Sequence, residues 1–354
     1  MSTQLVPPSL AMSSLYDHQE LESFFNKQQF PERKRRSFRR LFFREFLDLD
    51  SAFDNPKFVE LVRNHFEIPK LKIISRQDSK IDGASKLLVQ TKDGLNIETV
   101  ILRIGTGRTS LCISSQAGCT EKCTFCSTAT LGFKRNLTLG EIIGQVMLAG
   151  EILREEDRKV RNIVFMGMGE PLRNTDNVLK SLDIMVSSAY MGLSSKRVTV
   201  STIGITENIT RLRKSFPELN LALSLHASND QVRDILMPIN KTFPMAKIKE
   251  TLLSAQEDAS GDLMIQYLLI KDLNDSADQA QELAEFLKGI NCIINLIPYN
   301  DSMGMGNWKS SSEEKMSAFQ DVLQENDFQV TRRHSLGRDI DAACGQLAAK
   351  NQKK

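Results

Sequence analysis

Strand and helix candidates alternate about six times between residues 105 and 300, and this alternation constrains the fold more than any other feature. The strand candidates are TSLCISS, NIVFMGMG, RVTVST, LALSLH, LMIQYLLI and CIINLIPYN, with helical stretches between them. Such alternation indicates a parallel sheet flanked by helices. Polar or glycine-rich residues follow several of the strands, as in GMGEP, STIG, SLHAS and PYN. The pattern predicts an α/β barrel with one working face, although loops after strands are polar in any such fold.

Three cysteines, Cys119, Cys123 and Cys126, lie in the loop that follows the first strand candidate. A structural zinc site and an ordinary 4Fe-4S cluster are both closed by four protein ligands. Three thiolates therefore predict an iron-sulfur centre with one open iron, which can bind a small molecule and pass it an electron. The alternatives are a chance grouping and a zinc knuckle completed by a distant histidine. None of the four histidines forms a zinc-type pair beside these cysteines.

The composition is that of a globular protein with ordinary proportions of apolar and charged residues. Of its 354 residues, 41% are hydrophobic and 25% are charged, so the chain can form one large domain and one or two small ones. We find neither a basic stretch followed by an apolar one at the start nor a run of 18 apolar residues, and expect no secretion signal and no membrane span. Six cysteines are too few for a disulfide framework. We therefore expect a cytoplasmic protein whose cysteines are ligands or catalytic thiols.

Changes of pattern along the chain divide it into five parts. An alternating segment, KLLVQT and IETVILRI split by KDG, predicts a β-hairpin between a helical region and the barrel. The predicted parts are a disordered tail over 1–15, a basic helical accessory domain over 16–68, a β-hairpin linker over 69–104, the barrel over 105–300 and a C-terminal extension over 301–354.

A basic stretch in the accessory domain predicts contact with RNA. Seven lysines and arginines lie between Arg33 and Arg44, with phenylalanines interleaved and no acidic residue among them. Such a stretch suits phosphates. The alternative is a solvated helix face whose phenylalanines enter a local core, and both interpretations can hold at once. The candidate RNA-binding residues are Arg33, Lys34, Arg35, Arg36, Arg39 and Arg40.

A series of motifs runs from about Glu98 to Leu347: GRTSLCISSQAGC, CSTATLGFKRNL, MGMGEP, SLH, MPIN, NLIPYN and DIDAACGQL. Together they resemble the RlmN/Cfr family of radical S-adenosylmethionine RNA methyltransferases, which methylate an adenine ring carbon. The resemblance implies an α/β fold built on a partial (βα)6 radical-SAM barrel. It also implies a 4Fe-4S cluster on the three loop cysteines and the use of two S-adenosylmethionine molecules per turnover. The N-terminal region matches the family only in being helical and basic.

The resemblance assigns roles to further residues. Cys344 would carry the methyl group, Cys112 would resolve the RNA-enzyme adduct through a transient disulfide with Cys344, and Glu98 would accept the ring proton. Without the resemblance, Cys112 would be a buried core thiol, Glu98 an outward strand residue, and Cys344 equally well a small residue in tight helix packing. The residues implied to bind S-adenosylmethionine are Gly169, Glu170, Ser201, Ser224, Leu225, His226 and Asn300.

The resemblance also implies the substrate and the partners. In this family the target is an adenosine of the peptidyl-transferase region of 23S rRNA, and some members also modify a tRNA anticodon loop. A stacked ring carbon cannot reach a barrel mouth, so the adenosine must lie in a loop or be flipped out. We further expect an external electron donor such as flavodoxin or ferredoxin, no membrane partner and a monomeric protein.

The sequence leaves the modified carbon and two other classes of protein open. MGMGEP, IETV and GRTSLC resemble the RlmN type, which acts on C2, whereas STIGI and KRNLT resemble the Cfr type, which acts on C8. We favour C2. A methylthiotransferase would need a second cysteine cluster, for which the remaining cysteines are too scattered. A noncatalytic iron-sulfur RNA-binding protein, in which Cys344 is idle, is the other alternative.

Overall fold

The computed structural model describes residues 12–53, 55–69, 71–300, 308–333 and 335–348. Most of the predicted disordered tail, residues 1–11, lies outside this part. Its last residues belong to the fold, because Ser13–Ser14 pairs with Phe66–Glu67 and the side chain of Leu15 is fully buried. The boundary predicted at residue 15 is therefore wrong for residues 13–15, which are anchored by strand pairing and burial.

Residues 13–67 form a helical module closed by the parallel pair β1 (Ser13–Ser14) and β2 (Phe66–Glu67). Between these strands lie α1 (His18–Lys27), α2 (Glu32–Phe43), α3 (Leu49–Ala52) and α4 (Pro56–His65). Side chains that accept helix N–H groups cap α1, α3 and α4. The core is aromatic: Phe38 of α2 stacks on Phe53 with 4.1 Å between ring centroids. The phenylalanines of the basic stretch therefore face inward.

The predicted hairpin linker is part of the main sheet. Strands β3 (Lys72–Asp78), β4 (Ala84–Gln90) and β5 (Asn96–Arg103) pair antiparallel in sequence order. The hairpin KLLVQT–IETVILRI corresponds to β4 and β5, and β3 adds a strand on its outer side. β5 also pairs antiparallel with β6 (Thr109–Cys112), the first strand of the barrel. The segment therefore extends the barrel sheet.

The barrel contains six parallel strands in chain order, as the alternation predicts. A short antiparallel pair, β7 (Gln116–Ala117) and β8 (Arg135–Asn136), flanks the cysteine loop after β6. The other barrel strands are β9 (Asn162–Phe165), β10 (Val198–Thr202), β11 (Asn220–Ser224), β12 (Leu263–Leu269) and β13 (Ile293–Pro298). The intervening helices are α5 (Leu139–Glu155), α6 (Thr175–Val186), α7 (Thr206–Ser215), α8 (Asp230–Leu236), α9 (Met245–Gln256) and α10 (Ala277–Leu287). The predicted capping box of Thr138 and Glu141 begins α5.

The C-terminal extension completes the sheet and then returns to its other side. Helix α11 (Glu313–Glu325) leads into β14 (Gln329–Arg332), which pairs parallel with β13. The main sheet thus has ten strands, from β14 at one edge to β3 at the other. Residues 335–348 then cross back to β4 and β5, where Lys86 Nζ donates to the carbonyl oxygen of Asp341. The reactive motif DIDAACGQL is therefore placed against the start of the barrel.

The helical module packs on helices α5 and α6 and on the connection that follows α6. Arg44 donates from Nε to the carbonyl oxygen of Tyr190 at 2.6 Å, and from Nη2 to that of Ser188. A Cβ at Gly150 of α5 would lie 2.4 Å from the ring of Phe46, so only glycine permits this approach. Module and barrel share one continuous apolar core. Among the described residues, no helix is both long and apolar enough to span a bilayer.

Candidate active site

A cavity of about 150 Å³ opens at the carboxyl ends of the barrel strands and gathers most of the predicted site residues. The predicted residues that line it are Cys119, Cys123, Cys126, Gly169, Glu170, Ser201, Ser224, His226 and Cys344. They come from the ends of four strands, β6, β9, β10 and β11, and from the C-terminal segment. Glu98, Cys112, Leu225 and Asn300 do not line this cavity.

The cysteine loop is held in a conformation that requires glycine at its start. Gly118 has φ +77°, and a Cβ there would lie 1.8 Å from the carbonyl oxygen of Gly132. Burial raises the pKa of Cys119 to about 12 and that of Cys123 well above its usual value. Buried thiols of this kind ionise when a metal binds them.

The donor set fits a cluster better than a single ion. Within the described residues, no three histidine, cysteine, aspartate or glutamate side chains converge on one metal position. The three thiols nevertheless line one cavity. In a cubane, each cysteine binds a different iron, so the sulfur atoms need not converge. Cys119, Cys123 and Cys126 are therefore suited to hold three irons of a 4Fe-4S cluster.

The GMGEP loop after β9 places a buried carboxylate beside the cysteine loop. Gly169 has φ +95°, and a Cβ there would clash with Gln116 at 2.5 Å. Glu170 accepts hydrogen bonds from Thr202 Oγ1 at 2.8 Å and from the N–H of Ile203 at 3.1 Å. Burial raises the pKa of Glu170 to about 7, and these hydrogen bonds oppose the rise. A buried carboxylate of this kind can accept hydrogen bonds from an ammonium group.

The ends of β10 and β11 supply neutral polar groups. Ser201 and Ser224 lie side by side, with 3.5 Å between their Oγ atoms. His226 has φ +59°, and its Nδ1 accepts from the N–H of Leu268 at 3.1 Å. Burial, assisted by the nearby Arg233, lowers the pKa of His226 to about 3. The imidazole is therefore neutral, with Nε2 left to carry the proton.

Cys112 and Cys344 share a second cavity, of about 220 Å³, which adjoins the first. Cys344 and Arg333 line both cavities. Cys112, the last residue of strand β6, lines only the second one. Burial, reinforced by the neighbouring Cys344, raises the pKa of Cys112 to about 12, while Arg333 opposes the rise. The two thiols that the resemblance pairs are thus neighbours in the fold.

Glu98 lies on the same face of β5 as Val100, whose backbone position pairs with Cys112 across the sheet. The residue is 1% exposed. Its carboxylate forms an ion pair with Lys86 at 3.3 Å and accepts a hydrogen bond from the N–H of Ala348 at 2.8 Å. Glu98 is therefore buried among residues of the C-terminal segment that carries Cys344. It is not the outward strand residue that the alternation suggests.

Comparisons with known proteins agree with this geometry. Residues 113–287 match the radical SAM superfamily. The chain is 44% identical over 286 residues to a probable RNA methyltransferase of Rhodopirellula baltica, covering 81% of this chain and 76% of that protein. It is 42% identical over 313 residues to the dual-specificity RNA methyltransferase RlmN of Desulfotalea psychrophila, covering 86% and 84%. The chain belongs to the RlmN-like family of radical SAM RNA methyltransferases.

The fold agrees with a solved structure over nearly its whole length. The crystal structure of a radical SAM methyltransferase from Sphaerobacter thermophilus superposes with a TM-score of 0.90 and 34% sequence identity. The superposition covers 96% of this chain and 100% of the Sphaerobacter thermophilus chain. The predicted partial radical-SAM barrel is confirmed, and radical SAM family membership implies a 4Fe-4S cluster with S-adenosylmethionine.

Two residues implied by the family resemblance lie at the margin of the site. The side chain of Leu225 is fully buried in the core, so only its backbone is placed to meet a ligand. Asn300 is buried, and its Nδ2 has no hydrogen-bond partner among the described residues. An orphaned buried amide of this kind is consistent with a ligand contact.

Two arginines near the site were missed by sequence reasoning. Arg333 comes directly after β14, and its Nη1 lies 3.5 Å from Met166 Sδ. Arg233 is fully buried and donates to the side chain of Asn240 at 2.7 Å and the carbonyl oxygen of Ile203 at 2.5 Å. The nearby Cys123 thiol favours its charged form, although burial lowers the pKa of Arg233 to about 10. Arg233 stands four residues before the motif MPIN in the polar run NDQVRD, and no sequence signal distinguishes it from its polar neighbours.

The basic helix α2 divides into an inner and an outer set of cations. Arg35 donates to the carbonyl oxygens of Phe30 and Phe25 and to Asn26 Oδ1, while Arg39 pairs with Glu22 at 2.8 Å and with Glu32. Arg40 pairs with Glu45 at 2.9 Å on the surface. The cations that are exposed and without an ion pair in the described part of the chain are Arg33, Lys34 and Arg36. These three are the members of the set best placed to meet phosphates.

Proposed function

We propose that this protein methylates C2 of an adenosine in 23S rRNA, and that a tRNA anticodon-loop adenosine is a second substrate. One observation carries the proposal: Cys344 lines both the cavity of the three cluster cysteines and the cavity of Cys112. A single thiol therefore stands between the cofactor side and the resolving thiol. The dual-specificity name of the relative from Desulfotalea psychrophila supports two RNA substrates.

A thiol carrier is needed because an adenine C2 is an sp² carbon without useful nucleophilicity. When bound, the cluster and S-adenosylmethionine supply a methyl group and the electron that makes a carbon radical. Cys344 accepts the methyl group on Sγ, as a thiolate can. A hydrogen atom would be abstracted from the S-methyl group, and the resulting methylene carbon would bond to adenine C2, so that RNA and enzyme are joined through the Cys344 sulfur. One electron would return from the adduct to the cluster as the C2 proton leaves, which restores the aromatic ring.

Cys112 and Glu98 then release the product. The Cys112 thiolate attacks Cys344 Sγ, the S–S bond forms, and the C–S bond to the RNA breaks with its electron pair going to the departing carbon, which takes up a proton to become the methyl group. Glu98 accepts the proton from C2. The disulfide must be reduced before the next turnover. The contacts of Glu98 with Lys86 and Ala348 and the proximity of Cys112 to Cys344 support these assignments.

The cradle for S-adenosylmethionine follows from the charges of the site. The Glu170 carboxylate, with Gly169 beside it, is suited to the ammonium of the methionyl group. The neutral groups that complete the cradle are Ser201, Ser224, the backbone at Leu225, His226 and Asn300. Because His226 is neutral, it does not repel the sulfonium.

RNA binding is assigned to the outer cations of α2, Arg33, Lys34 and Arg36. The target adenosine must leave its stack to reach the barrel mouth. The reducing electron comes from an external donor of the flavodoxin or ferredoxin type.

The proposal is tested with anaerobically reconstituted protein and S-adenosylmethionine carrying a CD₃ group. Mass spectrometry of tryptic peptides should find the label on Cys344 before RNA is added. After addition of transcribed 23S rRNA fragments or tRNA, nucleoside analysis should find 2-methyladenosine. Product found as 8-methyladenosine would favour the Cfr-type reaction, which STIGI and KRNLT resemble. RNA binding without any label on Cys344 would support the alternative, a noncatalytic iron-sulfur RNA-binding protein.

A further inference from the structure

Six cations form a patch at the amino ends of the first barrel strands, opposite the catalytic mouth. They come from the turn before β6, the connection before β9 and the connection before β10. We call this the amino-end patch, and its members are Arg108, Arg158, Lys159, Arg161, Lys196 and Arg197. The strand pairing brings them together, because Ser110 is opposite Asn162 and Ile163 is opposite Val198.

Three members of the patch surround one cavity. It has a volume of about 480 Å³ and is lined by Thr106, Gly107, Arg108, Arg161, Asn162 and Arg197, with no acidic residue in its wall. Thr106 and Asn162 add neutral polar side chains to the wall. Guanidinium groups around a polar concavity are the arrangement that binds phosphate oxygens.

None of the six side chains has an ion pair within the described residues. Glu156, which lies in the same connection, is already engaged by Arg103 at 2.6 Å and by Arg76. Glu155 and Asp157 also precede Arg158, so the connection carries both signs of charge. In addition, the buried Nη1 of Arg158 has no hydrogen-bond partner in the described part of the chain. The three arginines that line the cavity therefore carry positive charge that no acidic residue of its wall neutralises.

The patch and the helical module meet the same connection of the barrel. Lys196 and Arg197 end the same α6–β10 connection whose Ser188 and Tyr190 carbonyl oxygens accept from Arg44. That connection therefore joins the end of α2 to the cavity. The barrel strands have four to seven residues, so the amino ends lie roughly 13–23 Å from the catalytic mouth. A folded RNA can extend over that distance along one flank of the barrel.

We propose that the amino-end patch binds phosphates of the substrate RNA, in addition to those bound by the outer cations of α2. This inference rests on the proposed function, since it takes RNA as the polyanion. The patch supplies affinity and orientation but no chemistry, because phosphate contacts position an RNA without reading its sequence. It would hold RNA segments at a distance from the target adenosine.

The test compares RNA affinity at several salt concentrations in the full chain. The triple variant Arg108→Ala, Arg161→Ala, Arg197→Ala should bind transcribed tRNA and 23S rRNA fragments at least about tenfold more weakly at low salt. The slope of log K against log salt should decrease by about 2, since each phosphate contact contributes roughly 0.7–0.9. The lysine triple variant at the same positions should retain most of the slope. Equal loss in the lysine and alanine variants would overturn the proposal.

A charge-matched control removes three cations that are already ion-paired. Arg211, Lys247 and Lys288 pair with Asp176, Glu207 and Glu285, and their alanine variants should bind RNA as the wild type does. An equal fall in the slope for the control would show a general effect of net charge, which overturns the site. Unchanged RNA binding by the patch variant, with slower reduction by flavodoxin, would assign the patch to an acidic protein. Methylation of Cys344 is measured separately, in the absence of RNA. A failure of the proposed function would abolish this methylation, whereas a failure of the patch proposal would leave it intact and change only the result for RNA affinity.

Discussion

The N–H of Ser127 donates a 2.7 Å hydrogen bond to the carbonyl oxygen of Gly345, which joins the residue after Cys126 to the residue after Cys344. Thr128 Oγ1 adds a second bond of 2.7 Å, to the carbonyl oxygen of Leu347. The loop of Cys119, Cys123 and Cys126 is therefore tied directly to the loop of Cys344. These two bonds help to set the position of Cys344 relative to the three loop cysteines.

Thr128→Val should loosen this connection while preserving shape. It leaves a buried carbonyl without its hydroxyl partner, so the free energy of unfolding should fall by about 1–2 kcal/mol. Methylation of Cys344 should slow, with iron content unchanged. The matched control is Thr130→Val, because Thr130 is exposed and bonds only within its own turn. Equal rates for the two variants would contradict a positioning role for Thr128.

Cys112→Ala should trap the RNA on the enzyme. Cys344 can still accept a methyl group and react with adenine, but no neighbouring thiol is present to attack its sulfur. Denaturing gels should show a covalent RNA-protein species that the wild type does not accumulate. The double variant with Cys344→Ala should show none. Normal product release by Cys112→Ala would remove Cys112 from the mechanism.

Glu98→Gln should separate methyl loading from RNA methylation. The glutamine oxygen can still accept from the N–H of Ala348, but it cannot take a proton. Labelling of Cys344 should be normal, and RNA methylation should slow by about 100-fold or more. Adding Lys86→Met removes the unpaired cation, so it should recover stability without recovering the rate. A full rate in Glu98→Gln would leave Glu98 with only a structural role, as the partner of Lys86 and Ala348.

Glu170 should make the stability of the cluster-free protein depend on pH. Burial raises its pKa from 4.5 to about 7 in the folded state. Between these two values the folded state holds the proton more tightly than the unfolded state, so the free energy of unfolding falls as pH rises through this window. The loss should be on the order of 3 kcal/mol. Chemical denaturation of the wild type and Glu170→Gln measures it. A constant difference between them from pH 4.5 to 7 would contradict this assignment.

The cations of α2 should divide into two groups when they are replaced. Arg33→Ala with Arg36→Ala should weaken RNA binding and flatten its salt dependence, with little effect on melting temperature. Arg35→Ala should lower the free energy of unfolding by about 1–3 kcal/mol, because two half-buried carbonyl oxygens, of Phe30 and Phe25, lose their donor together with the exposed Asn26 Oδ1. Anisotropy titrations and thermal unfolding measure the two effects. A melting temperature lowered equally in both variants would contradict the division.

The sequence predicted the structural features that depend on periodicity or residue spacing, and it missed those that depend on a single residue or on tertiary packing. The six barrel strands and the capping box of α5 follow from periodicity and local hydrogen bonding, and Cys119, Cys123 and Cys126 were identified by their spacing. Strand β14 was missed because its sequence, QVTR, is short and half exposed. Arg233 and Arg333 were missed because single charged residues form no pattern. The phenylalanines of α2 predicted its core, but the internal bonds of Arg35 and Arg39 depend on tertiary packing.

The bond between Glu98 and Ala348 spans 250 positions of the chain, and this separation matters during synthesis. A ribosome completes the barrel and the cluster cysteines long before it makes the segment that carries Cys344. The cysteine loop and Glu98 therefore acquire their hydrogen bonds to residues 345–348 only after all the barrel strands have been synthesised.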